Sequence, residues 1–229
     1  MRLPAKRGIE PKRSITFDKA QLRPGRISIL KSIMEKRILT AYKEQIDKII
    51  PISQEIWYEI ETVLRKRELK KDEFVVKEHQ KFNLEIFVHK GVIRGFYGSG
   101  AGEEINISFY QDNELICPYF ARTTNERSNI NLQAITPAII FEIEQDTMKT
   151  IRHKYLELIK YSSFVVENEL KRKTQHEIFL LIKDAEERYQ MFQTMYPFLE
   201  NRIPQYHIAS YLRITPVSLS RLRKKLSKK

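Results

Sequence analysis

An α+β fold is predicted for this chain of 229 residues: an N-terminal antiparallel β-roll, or jelly roll, with flanking helices, then a long helix, then a C-terminal module that is all-α or winged. Three observations predict it. Apolar residues recur with a helical period from Ile27 to about Arg67. The period changes to two between about Leu69 and Ile143, and returns to helical after Asp146. Several short strands punctuated by Gly and Asn, with no helices between them, favour an antiparallel roll over a parallel βαβ sheet.

Taken in order, residues 1–26 carry Pro4, Gly8, Pro11, Pro24 and Gly25 among scattered charges without sustained periodicity, which reads as a disordered basic leader. A roll domain is expected over 27–146. Its helices place Ile46, Ile49 and Ile50 on one face, break at Pro51, and resume with Ile56, Ile60, Val63 and Leu64. The run LEIFVHKGVIRGFY at 84–97 reads as strand, Lys90-Gly91 turn, strand, followed by strands at 103–110, 129–136 and 138–144. Gly98-Ser99-Gly100-Ala101-Gly102 looks like a phosphate loop, but such a loop opens a helix, and 103–109 alternates as a strand. It reads as a hairpin turn.

After Asp146, Met148, Ile151, Tyr155, Leu158, Ser162 and Val165 repeat at 3-4 spacing, and a second stripe of Leu156, Ile159, Val166 and Leu170 runs beside them. One face can cover the roll and the other a partner helix, so 147–172 is read as a dimerisation helix and linker, and 173–229 as the C-terminal domain. The bland alternative is one broad core-facing stripe. A further amphipathic helix runs through Ile178, Leu181, Ile182, Ala185, Tyr189 and Phe192 to Pro197.

The formal net charge is +12, but it is unevenly spread. Residues 201–229 hold eight Lys or Arg and no acid, and 1–26 hold eight against two, which leaves 27–200 at −2. The basicity belongs to the ends, where a polyanionic partner is expected. One cysteine, Cys117, excludes an internal disulfide, a CxxC zinc site and a four-cysteine cluster within one chain. Apolar runs are too short to span a bilayer, so a cytoplasmic protein with no membrane partner is expected. GKS or GKT, HExxH and GxSxG are absent from the sequence, and histidines such as His79 and His153 stand without companions at metal-ligand spacing. No catalytic residues and no metal site are assigned, and the chain is not read as an enzyme.

The last stretch, IPQYHIASYLRITPVSLSRLRKKLSKK, is the most informative. Pro204 suits a first helical position, and Ile208, Ala209 and Leu212 form an inward face. Arg213-Ile214-Thr215 makes a break, Thr215 is an N-cap with Pro216 after it, and Leu219, Leu222 and Leu226 give the next buried stripe. Two helices with a three-residue turn form a helix-turn-helix. The second helix then presents Pro216, Val217, Ser218 and Arg221 as base-reading residues of double-stranded DNA. Thr215, Ser220, Arg223, Lys224 and Lys225 are assigned to phosphates. A merely solvated basic hairpin is the competing reading of these residues. At the level of the protein, the alternative is a ligand-sensing adaptor whose basic ends bind anionic membrane or RNA.

This ending resembles the C-terminal module of the Crp/Fnr family, particularly its Bacteroidetes-type branch with YxIAxYLxITPxSLSRxRKxL endings, and AEERYQMFQTMYPFLENRIPQ resembles the segment that precedes it. The sheet region with Gly91, Glu114 and Arg127-Ser128 is similar to that family's cyclic-nucleotide-binding-like roll. The resemblance covers about residues 30–227. It implies a sensor roll, a homodimer, a winged helix-turn-helix on a two-fold related DNA site, an unknown small-molecule effector, and RNA polymerase as a candidate partner. Two departures stand out. Arg213 occupies a turn position where the family usually has Gly. Where cyclic-AMP-binding members carry Gly-Glu and Arg-Ser-Ala, this chain has Asn113-Glu114 and Arg127-Ser128-Asn129. Glu114, Arg127 and Ser128 therefore mark a candidate effector pocket in which cyclic AMP is not expected in the usual mode. Glu114 and Arg127 are read as a salt-bridging surface pair, and no cofactor is assigned.

Overall fold

The computed structural model describes residues 39–98, 102–121 and 125–227, all within one compact unit. The leader predicted at 1–26 lies outside the described residues. Helix α1, described over 39–49, and α2 (Gln54–Val63) are separated at Pro51, and Ser53 caps α2 by accepting from the Ile56 amide at 3.2 Å. Eight strands follow: β1 (Arg65–Leu69), β2 (Phe74–Val76), β3 (Leu84–Lys90), β4 (Ile93–Gly98), β5 (Glu104–Tyr110), β6 (Glu114–Ile116), β7 (Asn131–Ala134) and β8 (Ala138–Glu144), with the short α3 (Pro118–Ala121) after β6. They form two four-stranded antiparallel sheets. Sheet I has the order β1-β8-β3-β6 and sheet II the order β2-β7-β4-β5.

The sheets face each other across a core of Val76, Phe82, Ile86, Val88, Ile93, Tyr110, Leu132 and Ile140. The outer face of sheet I is covered by α1, α2 and the helices after β8, through Tyr42, Ile46, Trp57, Phe87, Phe141 and Leu158. This double covering buries Ile86, Phe87 and Val88 in succession, where a half-solvated strand would alternate. The outer face of sheet II is covered by the C-terminal helices.

Several elements differ from the sequence expectation. The helix expected to reach Arg67 stops at Val63, and β1 pairs Arg65 to Leu69 with Glu142 to Ala138. Charged side chains on this edge strand do not alternate cleanly, so periodicity misplaces it. The Lys90-Gly91 turn is not a hairpin, because β3 and β4 belong to different sheets and the chain crosses between them. Gly91 is required at this crossing: its φ is +108°, and a Cβ there would stand 2.5 Å from the Ala138 Cβ. Strands β4 and β5 do pair as neighbours in an antiparallel ladder that ends with Gly98 opposite Glu104, and the turn residues 99–101 predicted between them lie outside the described residues.

After β8 the predicted single helix is two, α4 (Gln145–Lys154) and α5 (Glu157–Leu181), separated at Tyr155-Leu156. Helix α5 runs past residue 172 to carry Ile178 and Leu181, which the sequence pattern places on the following helix. That helix, α6 (Ala185–Met195), starts where Asp184 accepts from the Glu186 amide at 3.1 Å. A 3₁₀ turn (Leu199–Asn201), α7 (Gln205–Leu212) and α8 (Pro216–Leu226) complete the chain. No strand is found between Gln145 and Ser227 among the described residues, so the C-terminal region is all-α rather than winged.

Candidate nucleic-acid interface

Helices α7 and α8 are joined by the turn Arg213-Ile214-Thr215. Arg213 ends α7 in the left-handed region at φ +57°, ψ +41°, with its amide directed back to Ala209 and Ser210 carbonyls. The Ile214 amide also returns to the Ala209 carbonyl at 3.1 Å, so the last turn of α7 is closed as a glycine would close it. Thr215 then caps α8, its Oγ1 accepting from the Ser218 amide at 3.1 Å, and Pro216 follows at the first helical position.

Ile208, Ala209, Leu212 and Leu219 are buried, and Leu222 and Leu226 pack against the same core. The opposite side of α8 is open. Thr215, Pro216, Val217, Ser218, Ser220, Arg221 and Lys224 are exposed, Val217 to 59%. The remaining two cations are tethered. Lys225 Nζ lies 2.7 Å from Glu186 Oε2 on α6, which holds its ammonium above the ordinary lysine range, and Arg223 stands 4.0 Å from Glu200. Thus α8 presents a small, polar first turn on one side, together with an arginine and a lysine that have no acidic partner among the described residues.

The three residues assigned to an effector pocket are not brought together. Glu114 Oε2 accepts from the Gln111 amide at 3.0 Å and faces Arg172 of α5 at 3.5 Å, so its ion-pair partner is Arg172 and not Arg127. Arg127 is exposed and donates to the His79 carbonyl at 2.8 Å. Ser128 is fully buried and spends its hydroxyl on the Ile130 carbonyl at 2.5 Å. Asn113 adopts φ +64°, a conformation Asn accepts more readily than most residues, so the loss of Gly there leaves the turn intact.

The space beneath α5 has different walls. A cleft of about 200 Å³, open to solvent on one side, is lined by Ile107, Ser108, Phe120, Glu169, Arg172 and His176. Glu169 is buried beside the Tyr110 hydroxyl at 3.3 Å, and burial pushes its carboxyl up from the ordinary glutamate value. Along the outside of α5, Ile159, Val166 and Leu170 stay exposed, as does Leu156 just before it. They form the second apolar stripe, with a groove of about 440 Å³ opening beside it toward α3.

Sequence reasoning missed a polar cluster joining roll and helix-turn-helix: Arg94, Asn106, Gln133, His207 and Ser210. Nothing local marks it, since Arg94 sits between Ile93 and Gly95 where alternation alone predicts a solvent-facing side chain. Among the described residues, no group of three or more His, Cys, Asp or Glu could hold a metal ion, and no helix is long and apolar enough to cross a membrane.

Fold and surface together define a class: a two-sheet β-roll followed by a long helix and a C-terminal helix-turn-helix. Solved structures share this architecture. FixK2 from Bradyrhizobium japonicum matches with a TM-score of 0.63 at 17% identity, over 72% of this chain and 85% of that one. CLP from Xanthomonas campestris, described as a c-di-GMP responsive global regulator, matches at 0.61 and 12% identity over 77% and 92%. A transcriptional regulator assigned to the Crp/Fnr family from Eubacterium rectale matches at 0.61 and 14% identity over 77% and 84%. The fold is that of the Crp/Fnr regulators. No protein-family model and no curated protein sequence matches the chain.

Proposed function

We propose that this protein is a cytoplasmic, non-catalytic, sequence-specific DNA-binding transcription regulator of the Crp/Fnr type, with an ending that resembles the Bacteroidetes-type branch. The observation that carries the reading is the open face of α8, where a capped first turn of small residues, Arg221 and Lys224 faces solvent while the leucines opposite are buried. Such a turn enters the major groove: Val217 and Ser218 permit close approach, Pro216 sets the helix start, and Arg221 donates two hydrogen bonds to guanine O6 and N7. Thr215, Ser220 and Lys224, with the positive end of the helix, hold phosphates. Arg223 and Lys225 are secondary phosphate ligands, because each must first loosen an acidic partner on its own chain.

The exposed stripe Leu156, Ile159, Val166 and Leu170 supports a homodimer through α5, and two-fold symmetry in the protein demands a two-fold related site. The roll does not take cyclic AMP in the usual mode, since Glu114 is engaged by Arg172 while Arg127 stands on the surface. If an effector enters, the cleft lined by Ser108, Glu169 and His176 is its place. RNA polymerase is the remaining expected partner.

Selection from a random duplex pool tests the reading. It predicts one approximately palindromic sequence with half-site centres about one helical turn apart. Uniform, salt-labile retention of all duplexes would instead fit an adaptor for RNA or anionic membrane.

A further inference from the structure

Helix α7 is held on sheet II by a buried polar interface whose hub is Arg94, only 4% exposed. All five guanidinium N–H groups are placed. Nε and Nη2 reach Gln133 Oε1 at 2.9 and 2.5 Å, Nη2 also reaches Glu104 Oε2 at 2.6 Å, and Nη1 reaches Asn106 Oδ1 at 3.2 Å and His207 Nδ1 at 3.3 Å. Below the guanidinium plane lies the Phe96 ring, 3.8 Å from Cζ to centroid. Strand β5 is the edge of sheet II, and Ser210 occupies its open side, donating to the Glu104 carbonyl at 2.7 Å and accepting from the Asn106 amide at 3.1 Å. Asn106 Nδ2 donates to the His207 carbonyl at 2.9 Å.

We propose that this interface is an acid-sensitive latch: protonation of His207 releases α7, and the helix-turn-helix with it, from the roll. An arginine stays charged, so the imidazole must offer its Nδ1 lone pair to Arg94, and its one proton resides on Nε2. That nitrogen is buried with no hydrogen-bond partner among the described residues, so the latched state already carries a donor that they leave unsatisfied. A proton arriving at Nδ1 would remove the hydrogen bonds this atom accepts from Arg94 and, at 3.4 Å, from Asn106 Nδ2, and set an imidazolium against a guanidinium. The charges facing the ring are Arg94 from β4 and Lys71 from the β1–β2 turn, while the nearby acid, Glu104 of β5, is committed to Arg94.

Burial, then Arg94 and Lys71, hold His207 down to about 4 from its ordinary 6.5. The latched state binds fewer protons than the released one, so the latch is intact above pH 6.5 and weakens as pH falls from 6.5 toward 4. At pH 5 the balance between released and latched forms shifts by about 30-fold. The effect on DNA binding rests on the proposed function; release itself does not.

Hydrogen exchange of the full chain, corrected for intrinsic rates, at pH 7.5 and 5.0 tests the latch. Peptides over 205–212 and 104–110 should open about 30-fold more at pH 5 relative to peptides of α2 and β8, and His207→Gln, which keeps an acceptor but does not titrate, should abolish the difference. No change in the native chain, or the same change in the variant, overturns the proposal. Should the variant fail to fold, the imidazole titration read by NMR decides: a midpoint near 4 supports the latch and one near 6.5 overturns it. Duplex binding is measured alongside. Acid-dependent opening in a chain that selects no duplex upholds the latch and discards the DNA reading, whereas pH-dependent duplex binding without opening discards the latch.

Discussion

At the scale of single residues, the turn of the helix-turn-helix depends on a backbone state that its sequence does not favour. Arg213 holds φ +57° with a side chain that costs free energy there, and the closure of α7 through the Ile214 amide compensates. Arg213→Gly should therefore stabilise the protein by up to about 1 kcal/mol, seen as a rise in Tm of about 2 °C. Unchanged or lower stability would mean that the arginine makes a compensating interaction. The cap, the proline and the leucine stripe of α8 are legible in the sequence because each is a local rule acting on adjacent residues. Glu114 and Arg127 do not form the expected pair because their partners, Arg172 and the His79 carbonyl, are 58 and 48 residues away in sequence. No pattern within a strand reports such neighbours.

At the scale of elements, α8 divides its cations into two sets, and salt dependence separates them. Lys224→Ala should lower the slope of log affinity against log salt by about 0.9 for each phosphate left without its cation, while Lys225→Ala should change it less, since Glu186 already holds that ammonium. Equal slopes for the two variants would contradict the division. Helix α5 makes a second element-level claim. Val166→Glu with Leu170→Glu places charge on the exposed stripe and should give a folded monomer by light scattering with weakened binding to a palindromic duplex. A dimer that survives both changes would move the interface elsewhere. The stripe itself is readable from period alone, yet the break at Tyr155-Leu156 and the extension of α5 to Leu181 are not. Apolar spacing continues across both boundaries, and only the cap at Asp184 marks where α6 begins.

At the scale of the whole molecule, roll and helix-turn-helix are not independent bodies above pH 6.5, where the latch is closed. Phe109 of β5 lies between Phe192 of α6, Tyr196 just beyond that helix and Tyr211 of α7, with ring centroids 5.5 to 6.3 Å away, and Val92 and Ile135 join the same core. Truncating it as Phe109→Ala should cost about 3–5 kcal/mol and destabilise the roll and the C-terminal helices in one transition. Two separated transitions would show that they fold apart. Period switching reveals a roll and then helices, but it carries no sign that the outer face of sheet II forms half of the C-terminal core, because that burial depends on which element docks there. The orientation of α8 is thus set by the roll through a shared apolar core and the Arg94 cluster, and everything functional depends on what its open face meets. The most direct measurement compares the native chain with Arg221→Ala on the duplex selected from a random pool. A base-reading arginine predicts a loss of about 1–3 kcal/mol in binding and relaxed choice at one base pair in each half-site. Unaltered affinity and selectivity would contradict it.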